Sequence, residues 1–429
     1  MARLSLFDGE KIMKKLAIIG TGMSGMSAAH FLQNDYDITI FEKASYVGGH
    51  TNTVYVEEEG ERKPIDTGFM VFNNVTYPQM IKLFAELDVP TYNTDMSFSV
   101  NDVNIDLEFN GSSLKGLFSQ KKNLFSPSYI RMLLDVSKLS KMSAEILTHP
   151  RFEHMPVKDL VEKEGFSKRF LDHFLLPMSS AVWSTPNEKI MNFHLRTLIQ
   201  FFVNHGFLGL DTQHQWKTVQ GGSQTYKLKI IEPFKNRIRL NSGAVQVKSL
   251  NGKVLVTIAN GESQEFDKVV IASHADEALE MLEAPNMIQK ELLSPFKYQE
   301  NIALLHTDES VMPKIKGNWS SWNFAYREDE IFTIYYMNRL QNISKKTNYF
   351  VNINGERFID KNKVLKRIVY HHPVFDTETA KAQLRLQELN TGKDNIYFTG
   401  SYFRYGFHED ALLSSVILCE SMLKRKVLK

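Results

Sequence analysis

Cysteine is nearly missing from this chain: Cys419 is the single one in 429 residues. One thiol excludes an intrachain disulfide framework and a cysteine-rich metal centre. Within the apolar segment ALLSSVILCE it reads as a buried structural side chain. Excess charge is also missing, with 51 Lys and Arg against 49 Asp and Glu, so no dense basic stripe marks nucleic acid as a partner. No run reaches the about 18 consecutive apolar residues of a membrane-spanning helix. The opening MARLSLFDGEKIMKK lacks the continuous apolar core of a secretory signal. Residues 1–12 read as a peripheral or vector-derived extension ahead of Met13, and a cytoplasmic location is the default expectation. There is no GxSxG elbow and no GxxxxGK[ST] loop, which leaves hydrolase and nucleotide-triphosphatase chemistry without a motif. His194, His205 and His214 lack a supporting carboxylate at metal spacing, and His371 and His372 are adjacent, so no metal is assigned.

The strongest positive feature is Leu16 to Phe41, LAIIG-TGMSG-MSAAHFLQ-NDYDITIF, followed by Glu42. An apolar run turns on Gly20, Gly22 and Gly25, continues as an alanine-rich helix, and returns as a second strand. Such a unit sets a helix N-terminus against a dinucleotide pyrophosphate. Gly20 permits the tight turn, Gly22 leaves room for phosphate, and Gly25 lets helix and sheet approach. Glu42 sits where a carboxylate takes the ribose hydroxyls.

Further along, Gly48-Gly49 forms a second phosphate-proximal turn, and Asp66-Thr67-Gly68 forms another before an apolar run. Thr76–Leu87 has the spacing of an amphipathic helix, and Thr91–Leu107 alternates as a hairpin. Residues 128–205 are mainly helical. Asn251-Gly252 marks a strand–turn–strand unit, and Val269–Ile271 is a short buried strand delivering Ala272 and Ser273 to a parallel sheet edge. NIYFTG ends on Gly400 before a glycine turn and a long apolar-faced helix. The nucleotide-binding pieces therefore recur at the start, middle and end. The predicted fold is α/β, a Rossmann-like dinucleotide-binding domain (13–75, 215–280 and 385–429) interleaved with an α+β substrate domain (76–214 and 281–384) that contains the helical block.

These elements resemble the flavin-containing amine oxidase superfamily, which includes phytoene desaturases and protoporphyrinogen oxidases. Within it, DTGFMVFN, DMSFSV, FLLPMSSAVWSTP, NHGFL, QGGSQTY, ASHADEAL and FRYGFHEDAL resemble bacterial FAD-binding proteins encoded near cyclopropane-fatty-acyl synthases. The resemblance implies an FAD-dependent oxidoreductase that oxidises or desaturates modified acyl chains of phospholipids by hydride transfer to flavin N5. An amine or carotenoid-like substrate is the alternative, and a non-catalytic flavoprotein partner of a lipid-modifying enzyme, such as an acyl methyltransferase, is another. By position it implies Glu42 and Lys43 at the adenosine ribose and Gly20, Gly22, Met23, Ser24 and Gly25 at the pyrophosphate. Gly48, Gly49 and His50 follow the phosphate–ribityl region, and Val245, Ala272 and Ser273 the adenine end. Gly400, Ser401 and Tyr405 to Asp410 (Gly406, Phe407, His408, Glu409 between them) lie near the flavin ring. His50 stands where this superfamily usually has Arg. No cysteine precedes the final helix in the position used for covalent attachment, so noncovalent FAD is expected.

Tyr405 and His408 are the candidate proton-handling residues. Asp66, with Thr67 and Gly68, reads either as a cofactor contact or as a turn-forming carboxylate. Trp319, Trp322 and Tyr335 read as sheet core or as an apolar face receiving substrate, and Trp183 as cavity wall or helix-end plug. Lys115, Lys121 and Lys122 among Leu117, Phe118, Leu124 and Phe125 read as a solvated face. The alternative is a patch docking at the inner face of an anionic membrane.

Overall fold

A computed structural model describes residues 13–183, 187–209 and 214–428; the 1–12 extension and the STP end of the FLLPMSSAVWSTP segment lie outside them. In strand Lys15–Ile19, Leu16, Ala17 and Ile18 are fully buried. A strand buried on both faces needs helices above and below it, the environment of parallel sheets. It occupies the middle of a five-stranded parallel sheet ordered Ile238–Arg239, Asp37–Phe41, Lys15–Ile19, Lys268–Ile271, Ile396–Phe398. Ile18 pairs with Ile40 on one side and Val270 on the other. Lys268–Ile271, expected at an edge, is interior, because Ile396–Phe398 arrives from the far end of the chain to cover it.

Helix Met23–Leu32 leaves this sheet and packs on the final helix, His408–Leu423. Buried Ala28 and Ala29 keep the first helix narrow, and Ser415 Oγ donates to the Ser24 carbonyl at 2.7 Å. Ser414 Oγ, one residue earlier, accepts from the Gly400 amide at 3.0 Å. The two helices and the last strand are thereby fixed around one point.

The second domain is built on a seven-stranded sheet ordered Val364–Val374, Lys297–His306, Phe350–Ile353, Glu330–Tyr336, Trp322–Arg327, Phe98–Asp102, Leu107–Asn110. Thr91–Leu107 does not form one hairpin. Asp95 accepts from the Ser97 amide and bends the chain. Thr91–Thr94 then pairs with Trp216–Val219, and the hairpin is Phe98–Asp102 with Leu107–Asn110. Trp216–Val219 also pairs with Phe72–Asn73, so a small sheet joins segments placed in different domains by sequence. The helical block includes Pro127–Thr148, Val157–Glu164 and Leu195–His205. Between them a π turn, Leu171–Leu175, leads into helix Leu176–Trp183. Pro177 follows that turn; its ring clashes with a preceding carbonyl and it donates no amide, which a wider turn accommodates.

Candidate functional site

One cavity of about 640 Å³ runs between the parallel sheet and the second domain, within the range of roughly 300–1,000 Å³ for small-molecule and cofactor sites. At one end lie Glu42, Lys43, Val245 and Glu277; in the middle Gly20, Gly22, Ser24 and Gly49; at the other end Gly400, Gly406, Phe407 and His408.

The middle is shaped for phosphate. Gly20 has φ +100°, and a side chain there would meet the Ala272 carbonyl at 2.8 Å. Gly22 caps helix Met23–Leu32 with no side-chain hydrogen bond, and the first turn has no acid. A Cβ on Gly22 would meet nothing within 4 Å. An uncapped helix N-terminus facing open space offers free amides and the positive end of the helix dipole to an anion. Gly49 lies across the gap, its would-be Cβ 3.4 Å from Gly22 Cα.

At the first end, Glu42 Oε2 accepts from the Thr21 amide at 2.9 Å and Oε1 from the Ala44 amide at 2.8 Å. These bonds hold the carboxylate at the tip of Asp37–Phe41. Lys43 is ion-paired with Glu277. Val245 falls at a register shift between Ala244 and Gln246, outside the paired ladder. A bulge of this kind leaves backbone groups free to meet a ligand.

The other end is walled by rings. Trp183 lies 4.7 Å from Phe201, and Phe201 stacks on Phe407 at 4.9 Å. Trp216, and Trp322 paired across strands with Tyr335, complete the lining. Among the described residues the lining carboxylates are Glu42, Glu277 and Glu280, so none of these stands among the rings. Trp183 Nε1 donates to the Tyr405 carbonyl at 3.1 Å. Trp183 is thus a cavity wall held from behind.

A family model described as flavin containing amine oxidoreductase matches residues 23–311. The chain belongs to that family. It is an FAD-dependent oxidoreductase, and the residues of the cavity fit that cofactor: the uncapped helix and open Gly22 suit a pyrophosphate and Glu42 a ribose. Solved structures with the same fold include putrescine oxidase bound to putrescine (TM-score 0.70, 14% identity, 96% of this chain and 99% of that one). Cyclohexylamine oxidase from Brevibacterium oxydans gives TM-score 0.69 at 14% identity over 96% and 100% of the two chains. A CLA-producing fatty acid isomerase from P. acnes gives 0.67 at 14% over 97% and 99%. An uncharacterized protein of Acanthamoeba polyphaga mimivirus is 42% identical over 72 residues, which span 16% of this chain and 15% of that protein.

Several residues expected at the cofactor stand elsewhere. Gly25 packs helix on sheet and does not line the cavity, and Gly48 donates from its amide to Thr21 Oγ1 at 3.2 Å. Asp66 is a buried clasp: it accepts from Ser223 through amide and hydroxyl, from Thr53 Oγ1 and from Gln341 Nε2. Burial raises its pKa despite those donors. Thr67 Oγ1 bonds to the Tyr370 hydroxyl behind the lining, while Gly68 does line the cavity. Glu409 accepts from the Gln79 and Met80 amides, capping helix Pro78–Glu86, which has no cap of its own. Asp410 accepts from the Phe407 amide at its own helix start. Burial pushes these carboxyls up to about 7 and about 6. Trp319, expected in the substrate pocket, packs against Phe350 and Tyr336 in a separate core cluster.

The two proton-handling candidates are also redefined. Tyr405 does not line the cavity; it contributes the carbonyl that holds Trp183, and burial raises its phenol. His408 does line it, stacked on Phe69 at 4.1 Å with Nε2 3.1 Å from Thr51 Oγ1. Burial drives its pKa down to about 3. An imidazole with so low a value is neutral at pH 7 and a weak base, so it serves by shape and hydrogen bonding. Below the ordinary value of 6.5 the unfolded chain takes up a proton that the folded one refuses, so stability falls as pH drops toward 3. His408→Asn is therefore expected to lower the loss of apoprotein stability between pH 7 and pH 5 by about 2 kcal/mol. Urea unfolding at both pH values measures it; an unchanged difference would show that His408 titrates normally.

Sequence reading missed Phe201, Trp216, Tyr298, Tyr370 and three lining histidines: His274, His371 and His372 join His50 at the cavity. His50 stacks on Tyr370 at 4.7 Å and lies 5.1 Å from His372, with Nε2 buried and unpartnered. The YHHPV segment carried the only local sign, a strand ending in aromatic and imidazole rings.

Proposed function

We propose that this flavoenzyme oxidises a small, uncharged hydrophobic compound at a C–H bond. The observation that carries the reading is the ring-walled end of the cavity, built from Trp183, Phe201, Phe407, Trp216 and Trp322, with no carboxylate among them in the described residues. Such a wall gains by excluding water from an apolar substrate and offers a cation no counter-ion. FAD, bound noncovalently, supplies the hydride acceptor. The substrate would give up one hydride and, to solvent, one proton, and be left with a new double bond. The protein's contribution is placement: the rings set the C–H bond, and the glycine turn and Glu42 fix the cofactor against it.

An amine is the second reading, supported by the family description and by the amine oxidases that share the fold; stacked rings attract a cation through their faces. The acyl-phospholipid reading, with a gene neighbourhood near cyclopropane-fatty-acyl synthases, has narrower support. No lining residue of the cavity falls between Tyr77 and Val182, so the lining includes nothing from the basic segment near residues 115–135.

Anaerobic addition of candidate substrates tests these readings through loss of the flavin's visible absorption band. Bleaching by a neutral polyene, alicyclic compound or unsaturated fatty acid is expected. Bleaching by putrescine or cyclohexylamine alone would replace the main reading with the amine one. No bleaching by any compound would favour a flavoprotein that partners a lipid-modifying enzyme. With an active substrate in hand, Trp183→Ala is expected to raise KM roughly tenfold through the lost ring surface, with FAD content unchanged. A parental KM would remove Trp183 from the substrate wall.

A further inference from the structure

Outside the cavity, one face of the second domain combines exposed apolar side chains with bases. The tip of the hairpin between Phe98–Asp102 and Leu107–Asn110 exposes Val103 and Ile105, the turn Lys121–Phe125 exposes Leu124 and Phe125, and helix Pro127–Thr148 exposes Leu134. Phe125 is 87% exposed. A side chain of that size facing water on a folded element costs hydration free energy unless something covers it.

These pieces form one surface. Lys122 Nζ donates to the Asp106 carbonyl at 2.5 Å, and Gln120 Nε2 donates to the same oxygen at 3.2 Å. The Tyr129 hydroxyl donates to the Leu117 carbonyl at 2.7 Å, tying the turn to the helix. Leu117, Tyr129 and Met132 are buried beneath it, so the exposed residues stand on a packed base.

Charge on this face is mainly positive: Lys122 pairs with Asp106 of the hairpin tip and Arg131 with Asp135, and Lys115 and Lys121 remain without an ion pair among the described residues. Residues 112–134 include Lys115, Lys121, Lys122 and Arg131 and no acid, in a chain with nearly balanced charge. Lys314 adds a further base 3.9 Å from Asp106. A second copy meeting this face across a two-fold axis would set bases against bases. An anionic bilayer accepts both features, apolar side chains at the headgroup boundary and lysines at the phosphates.

We propose that this face docks on an anionic phospholipid bilayer, with Leu124 and Phe125 entering the headgroup boundary and Lys115 and Lys121 resting on the lipid phosphates. The proposal is independent of which substrate the cavity takes.

The test is sedimentation of the FAD-loaded full chain with vesicles of phosphatidylcholine alone or mixed with phosphatidylglycerol. Binding is expected to the mixed vesicles, to weaken severalfold at about 0.5 M salt as screening shortens the reach of the charges, and to fall about tenfold in a Leu124→Ser, Phe125→Ser variant. Both positions are exposed, and an unchanged flavin-to-protein ratio and melting temperature verify that the variant is folded. Three results would overturn the proposal: no sedimentation above the vesicle-free control, equal binding to uncharged vesicles, or a variant that binds like the parent. A concentration-dependent dimer that the double variant abolishes, without vesicle binding, would overturn it in favour of self-association.

Discussion

Replacing Gly22 with aspartate is expected to leave the apoprotein as stable as the parent, or slightly more so, and to abolish FAD retention. The position caps helix Met23–Leu32 without any side-chain bond, at φ −62° and ψ −179°, a conformation open to every residue. Aspartate is a favourable cap, better than glycine by a few tenths of a kcal/mol, and its charge gains roughly 0.3–1 kcal/mol from the helix dipole. Its Cβ meets no neighbour within 4 Å. In the proposed placement of FAD, that open space takes the pyrophosphate. A carboxylate about 4 Å from a phosphate charge costs on the order of 4 kcal/mol at an effective dielectric near 20, about a thousandfold in affinity. Thermal melting of the apoprotein and the flavin-to-protein ratio after gel filtration read the two effects separately. A yellow Gly22→Asp protein would refute the placement of the pyrophosphate.

Gly25→Ala, three residues on, is expected to fail in the opposite way. The added Cβ would lie 1.9 Å from the Gly20 carbonyl oxygen and 2.9 Å from its carbon, with Ala272 Cβ at 3.3 Å. Backbone on one side and a buried strand end on the other leave no flexible atom to move, so helix and sheet must separate. A cost of about 4 kcal/mol or more follows, at the extreme of single substitutions, lowering Tm by at least about 4 °C for a chain of this length. Differential scanning calorimetry of the apoprotein measures it. A Gly25→Ala protein that melts with the parent would show that the first helix does not pack as described. Because Gly25 does not line the cavity, the loss comes from packing and not from FAD.

The legible part of the site is the part built locally. Gly20, Gly22, Gly25 and Glu42 belong to one strand–helix–strand unit whose geometry is set within 30 residues, and the pattern of short apolar strands and helix between them constrains it further. Phe407 and His408 were legible for a similar reason, since they begin a long apolar helix directly after a glycine turn. Asp66 and Glu409 were not. In sequence each looks like a polar residue beside the cofactor, yet each satisfies amides from distant segments: Asp66 those of residue 223, Glu409 those of residues 79 and 80. Buried carboxylates go wherever unpaired backbone donors need them, and that need is invisible before the chain is folded.

The amino-acid order alone determined the Rossmann-like strand–helix–strand unit at an amino-terminal glycine turn and the α/β class of the fold, because short-range backbone geometry and hydrophobic periodicity are written in neighbouring residues. Only the tertiary structure decided which rings line the cavity. Trp183, Phe201, Trp216, Trp322 and Phe407 come together from a helix end, a second helix, two unrelated strands and the last turn. Trp319, three residues from Trp322, turns into a different core. The direction of a large side chain is fixed by strand pairing and long-range packing, and no local pattern carries that information.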